Sequence, residues 1–239
     1  MIVLGIEAAT AGVGVALIKE GILLAERFLS SQRSHSANLL TMIKGTLEEA
    51  GVNPCQLSGI AVSIGPGSFT GLRISLTAAK TLAQVLTLPI VGVSTLEALA
   101  YLLVSRQGGL ICPVLDARKN EVYAAVYNTS GGSLKCILEP VAIAPEELAV
   151  QLKEIKKPVA FIGDGALTWK ELFGNYLGAQ AVFAPGELSL PRAAAVAGLG
   201  WQKLLAKEVS DPFLLTPLYL RLSEAEMKWL QKQRVKQEI

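Results

Sequence analysis

Ile2-Val3-Leu4-Gly5-Ile6-Glu7 is an apolar run that ends on an acid, and Val13-Gly14-Val15-Ala16-Leu17-Ile18 begins six residues after that acid. The pattern returns in the second half as Leu110-Ile111-Cys112-Pro113-Val114-Leu115-Asp116, with Val122-Tyr123-Ala124-Ala125-Val126-Tyr127 at the same offset. A glycine-bearing turn follows each pair, Lys19-Glu20-Gly21 and Ser130-Gly131-Gly132, and then a third strand-like run, residues 22–30 and 133–139. Short apolar runs bounded by turn residues read as strands. A supersecondary unit that occurs twice carries more weight for the fold than any single motif.

Beyond each triplet of strands, helical and strand patterns alternate. Ser34 to Ala50 carries Leu39, Leu40, Ile43 and Leu47 at helical spacing, and Gly51 stops it. A strand over 57–64, a helix over 69–86, a strand from Pro89 to Val93 and a helix from Thr95 to Ser105 follow. The second half reads as a helix from Pro145 to Glu154, a strand from Pro158 to Gly163, a weaker helix from about Thr168 and a strand near 180–184. A long helix spans Pro191 to Lys207, Pro212 and Pro217 interrupt the chain, and a last helix begins near Ser223. The pattern predicts an α/β protein of two mixed lobes facing each other, residues 1–106 and 107–222, with a C-terminal helix over 223–239 that packs back on the first lobe.

Composition narrows the class. Of 239 residues, 51% are hydrophobic and 18% charged, enough for a large core with apolar surface left for a partner to cover. The net charge of +2 gives no field of the strength nucleic-acid binding uses. The one basic concentration is the tail, where Lys228, Lys232, Arg234 and Lys236 mix with Glu226 and Glu238 as on a solvated helical end. Cys55, Cys112 and Cys136 are an odd, scattered set, as expected of a reduced cytoplasmic protein. The chain opens directly on a strand-like run with no basic leader. Its most apolar long window, Leu86 to Val104, is broken by Pro89 and Glu97, so no membrane association is expected.

The turn Gly65-Pro66-Gly67-Ser68 joins a strand to a helix, a setting in which glycines let the backbone approach an anion or a partner closely. Ser68 and Thr70 are placed to cap the helix. No Gly-Lys-Ser/Thr follows, and Thr70 stands where the dinucleotide fingerprint needs its third glycine. Glu7 and Asp116 end the first strand of each lobe. Ligands gather at strand carboxyl ends in open α/β sheets, so both acids are expected to look into the cleft; each also reads as a cap for its own turn. Asp164, in Gly163-Asp164-Gly165, is first of all a turn residue. His35 begins an amphipathic helix without Ser/Asp partners and supports no triad.

The duplicated arrangement resembles the actin, Hsp70 and sugar-kinase superfold. Within it, the chain resembles the TsaB (YeaZ) family of tRNA threonylcarbamoyladenosine biosynthesis proteins. The resemblance rests on Ile6-Glu7-Ala8-Ala9-Thr10, Ser34-His35-Ser36-Ala37-Asn38-Leu39-Leu40, Ser63 to Arg73, Gly92 to Leu99, Asp116-Ala117-Arg118, Glu121-Val122-Tyr123, Gly163-Asp164-Gly165 and Pro217 to Arg221. The Gly65–Arg73 segment is the specific part. One departure is Glu7, since the family usually ends its first strand with Asp.

The resemblance implies a subunit without catalysis of its own. The catalytic paralogue TsaD holds its metal on a His-x-x-x-His helix. Thr95 and Leu99 stand at the similar positions here, and leucine offers a metal no ligand atom. His35, in another helix, is the sole histidine, so no metal ligands are assigned. The implied role is to bind TsaD, with the ATPase TsaE, as threonylcarbamoyl is placed on N6 of adenosine 37 in tRNAs reading ANN codons. tRNA would be met through the complex. The chain itself would need no cofactor, and the TsaD interface leaves room for a nucleotide.

The expected partner surface is the two first-lobe helices, with His35, Leu39, Ile43, Phe69, Leu72, Arg73, Leu76, Ala79, Lys80 and Ala83. Residues 69–86 hold only two charges, Arg73 and Lys80, and two apolar stripes, so one stripe can meet another chain. A charge at Leu76 or Ala79 is expected to abolish pairing and leave the fold intact. The same surface would serve a homodimer when TsaD is absent. The expected cleft residues are Glu7, Thr10, Gly65, Gly67, Ser68, Asp116, Arg118 and Asp164. Two other readings remain. A small ATP-dependent phosphotransferase or ATPase lacks a Lys or Arg in the turn Ala8-Ala9-Thr10-Ala11-Gly12, and a metallopeptidase lacks the histidine pair.

Overall fold

The computed structural model describes residues 1–30, 35–104, 109–130 and 133–221. The expected helix after Ser223 and the basic tail lie outside these residues. In the first half, β1 (Ile2–Glu7), β2 (Gly12–Lys19) and β3 (Ile22–Ser30) lead into α1 (His35–Glu49), β4 (Gly59–Gly65), α2 (Phe69–Leu86), β5 (Ile90–Ser94) and α3 (Thr95–Tyr101). In the second half, β6 (Gly109–Arg118), β7 (Glu121–Ser130) and β8 (Ser133–Ile143) lead into α4 (Pro145–Ile155), β9 (Val159–Ile162), α5 (Asp164–Thr168), α6 (Lys170–Leu177) and β10 (Ala181–Phe183). The last helix is α7 (Ala193–Leu205).

The two sheets run β3-β2-β1-β4-β5 and β10-β9-β6-β7-β8. Read from its hairpins inward, each is the same object: two antiparallel pairings, then two parallel ones. The duplication read in the sequence is therefore a duplication in space.

Strand alternation divides the apolar residues between the faces of each sheet. Leu4, Ile6, Val15 and Leu17 form one core with Leu39, Ile43 and Leu47 of α1 and Leu76, Ala79 and Ala83 of α2. Each leucine buried this way is worth roughly 2 kcal/mol over an exposed one, and that sum holds α1 and α2 on the outer face. This corrects the expected partner surface. Leu39, Ile43, Leu72, Leu76, Ala79 and Ala83 are all buried inside the lobe. The second α2 stripe, Ile74, Ala78, Leu82 and Val85, is the half-exposed one, and Val85 is 75% exposed. A charge at Leu76 or Ala79 would attack the core.

The inner face of the first sheet is covered by α7, although that helix follows the second sheet in sequence. Gly5 leaves no room for a Cβ against Ala193 and Ala197, and Gly200 lies just as close to Ala61. Small residues on both sides let helix and sheet approach closely. Glu26 of β3 ties down the start of α7, accepting from the Ala194 N–H at 3.0 Å and pairing with Arg192 at 2.7 Å. The expected boundary between lobes at 107–222 is thus wrong for this helix, which completes the first lobe.

Between the two sheets, α3 buries Leu96, Leu99 and Ala100 against Ile111, Leu115, Ala125 and Tyr127. The remaining face of the second sheet packs Val114 and Phe161 on Leu148 and Leu152 of α4 and Phe173 of α6, with the Phe161 and Phe173 rings stacked at 4.6 Å. No described helix is long and apolar enough to cross a membrane, and Cys55, Cys112 and Cys136 are all unpaired.

Candidate functional site

The carboxyl ends of β1 and β4 bring Glu7 and Ser63 side by side. β1 and β4 run parallel with Ile6 opposite Val62, so the next residues, Glu7 and Ser63, are neighbours. The Ala9 N–H donates to Glu7 Oε1 at 2.5 Å, while Oε2 and the Ser63 hydroxyl have no well-formed partner among the described residues. Glu7 is fully buried. Loss of water pushes its pKa up to about 7; the Ala9 bond and the nearby Ser63 only partly offset that. Glu7 therefore does not open into the cleft as expected. Thr10 is also buried, its hydroxyl accepting from the Gly12 N–H at 3.4 Å.

The glycine turn explains the seal. The Ser68 N–H donates to the Ala9 carbonyl at 2.6 Å. A Cβ on Gly67 would run into that carbonyl, and one on Gly71 into the Ala8 carbonyl. The glycines thus admit the β1–β2 turn against the start of α2, where Ser68, Phe69 and Thr70 stay exposed. Ser68 caps α2 as expected, its Oγ accepting from the Gly71 N–H at 3.2 Å. Gly65 has φ +112° and lies against the Leu218 carbonyl.

The equivalent end of the second sheet stays open. Asp116 is exposed, and its Oδ1 accepts from the Arg118 N–H at 2.8 Å. Asp164 Oδ1 accepts from the Asp116 N–H at 3.1 Å and the Gly165 N–H at 2.7 Å. Burial pushes the Asp164 pKa up against these bonds. Asp116, Arg118 and Asp164 are thus brought together as one group, with Glu7 and Thr10 sealed away from solvent.

A pocket of about 400 Å³ lies between the lobes, lined by Ser94 and Glu97, by Tyr127, Cys136, Glu139 and Pro140, and by Leu218. No Lys or Arg lines it among the described residues, so it is a poor receptacle for a polyphosphate; Glu97 is paired to Lys203 at 3.1 Å. Burial and the charge of Glu97 raise the Tyr127 pKa. Thr95 and Leu99, in the adjoining α3, are fully buried.

On the outside, Phe69 and Arg73 at the start of α2 meet Tyr219. The Phe69 and Tyr219 rings stack at 5.0 Å, Arg73 lies 3.9 Å over the Phe69 ring, and Arg73 Nε donates to the Tyr219 hydroxyl at 3.1 Å. Two residues on, Arg221 donates to the carbonyls of Ala117 (2.7 Å) and Arg118 (3.2 Å) and pairs with Glu121 at 2.9 Å. The sequence assigns Leu218, Tyr219 and Arg221 no site role, only a share in the family resemblance. Lys80 is half-buried on α2. His35 lies in the first turn of α1.

Two duplicated sheets of this topology around a central cleft define a protein of the actin, Hsp70 and sugar-kinase class. A hexokinase of the ROK group from Thermus thermophilus shares the fold at TM-score 0.55 and 13% identity, over 86% of this chain and 100% of that one. The chain belongs to the TsaB family. It is 35% identical to the tRNA threonylcarbamoyladenosine biosynthesis protein TsaB of Bacillus subtilis over 98% of this chain and 100% of that protein. It is 30% identical to the Escherichia coli protein of the same name, over 95% and 98%. The solved structure of YeaZ from Pseudomonas aeruginosa matches at TM-score 0.79 and 28% identity, covering 92% of this chain and 99% of that one. A family model described as TsaD, tRNA N6-adenosine threonylcarbamoyltransferase, matches residues 23–229.

Proposed function

We propose that this chain works in tRNA threonylcarbamoyladenosine biosynthesis as a non-catalytic subunit that binds TsaD and, with TsaE, supports modification of adenosine 37 in tRNAs reading ANN codons. The observation that carries the reading is the state of α3. The positions resembling the paralogue's histidine pair are Thr95 and Leu99, and both are wholly packed in the core. Neither could be reached by a metal ion, and leucine could not bind one.

The cleft supports the same view. The glycine turn of the first lobe is packed against the chain's own backbone, and the interlobe pocket is lined by no Lys or Arg among the described residues. Such a cleft favours a chain that needs no nucleotide of its own; any nucleotide would be held at the TsaD interface.

The surface offered to TsaD is the outer side of α1 and α2, where Leu40 is 64% and Val85 75% exposed. Apolar side chains displayed on an outer helix face suit a covered interface. Co-purification with TsaD and TsaE, followed by a tRNA modification assay omitting one component at a time, tests the role. Modification is expected only when this chain and TsaD are both present. The double variant Leu40→Glu, Val85→Glu is expected to stay folded by circular dichroism and to weaken TsaD capture at least tenfold, about 1.4 kcal/mol. Modification by this chain alone, or full activity without it, would overturn the reading.

A further inference from the structure

We propose that residues 217–221 form a latch across the mouth of the cleft, coupling the outer end of α2 to the β6–β7 turn of the second lobe. The segment touches both lobes within four residues. Its first-lobe end is the Leu218 N–H, which donates to the Ile64 carbonyl at 2.7 Å. Gly65 is what allows this: a Cβ there would press on the Leu218 carbonyl. Tyr219 then engages Phe69 and Arg73, and Leu218 forms part of the wall of the interlobe pocket.

The second-lobe end is Arg221, and the turn it grips is unusual. Arg118, Lys119 and Asn120 all have positive φ, at 60°, 54° and 57°. A two-residue hairpin turn of the right hand needs two such residues, so the third adds strain that surrounding contacts must hold. Arg221 supplies them by capping the Ala117 and Arg118 carbonyls and pairing with Glu121. The same turn carries Asp116 and Arg118, the open group of the cleft. A disturbance at Phe69 or Arg73 thus has a short covalent route, through Tyr219 to Arg221, into the conformation of that group.

Hydrogen exchange on the full-length chain and its variants tests the latch. Tyr219→Phe removes the Arg73 bond and keeps the ring stack; Arg221→Gln releases the turn. The described hydrogen bond and ring stack of Tyr219 go to Arg73 and Phe69, not to Ala117, Arg118 or Glu121 of the turn. Even so, Tyr219→Phe is expected to speed exchange there about fivefold, and Arg221→Gln about tenfold, with α4 unchanged. The double variant is expected to match Arg221→Gln alone at 117–121, because a latch already released at one end cannot be released again. If Tyr219→Phe alters exchange only at 69–73 and 217–221, or if the two effects at 117–121 simply multiply, the proposal fails.

Discussion

Glu7 is the last residue of β1 and Asp116 stands two residues before the end of the equivalent strand β6, yet one is wholly buried and the other exposed. The difference lies in the turn at the end of each strand. After β1, the turn is pressed by Gly67, Ser68 and Gly71, which close over Glu7. After β6, the hairpin projects outward and Asp164 braces it from below with a side-chain acceptor. A duplicated scaffold has thus kept its plan at both ends and given one end over to packing.

Several substitutions would break or sharpen this contrast. The largest effect is expected from Gly67→Val, which forces a branched side chain into the Ala9 carbonyl; a loss of at least about 4 kcal/mol should appear in urea unfolding. Glu7→Gln comes next, and its sign depends on pH. The folded-state pKa of about 7 lies above the ordinary value of 4.5. Stability from neutral Glu7 is therefore complete below pH 4.5 and lost as pH rises to 7. Glu7→Gln should remove this part of the pH dependence and be more stable than the parent at pH 8 by up to about 3 kcal/mol. A variant that kept the slope would place its origin elsewhere.

The second lobe should respond less. Asp164→Ala removes the acceptor shared by the Asp116 and Gly165 N–H groups and should cost about 2 kcal/mol in thermal unfolding. Asp116→Ala, at an exposed position, should cost under about 1 kcal/mol. If Asp116→Ala proved as costly as Gly67→Val, the contrast between a sealed end and an open one would be gone.

The repeat was legible because strands and turns announce themselves over short windows: a run of Val, Leu and Ile, an acid, a glycine turn, then the same again. The Ser68 cap was legible for the same reason. The orientation of α2 was not. Its two stripes are both apolar, and only the position of the sheet beneath decides that Leu76 points inward and Val85 outward. The burial of Glu7 was hidden because it depends on a turn some sixty residues later. The bond from Arg73 to Tyr219 spans 146 positions, with no local signal at either end.

Because α7 comes from the end of the described chain and covers the first sheet, the first 106 residues are not a free-standing piece. During synthesis, the inner face of that sheet must wait, covered only in part by α3, until residue 205 has left the ribosome. A contact between segments so far apart in sequence slows folding and lengthens the interval in which an apolar surface can be captured by something else. The helix that closes the structure is thus also the step on which its safe arrival in the cell depends.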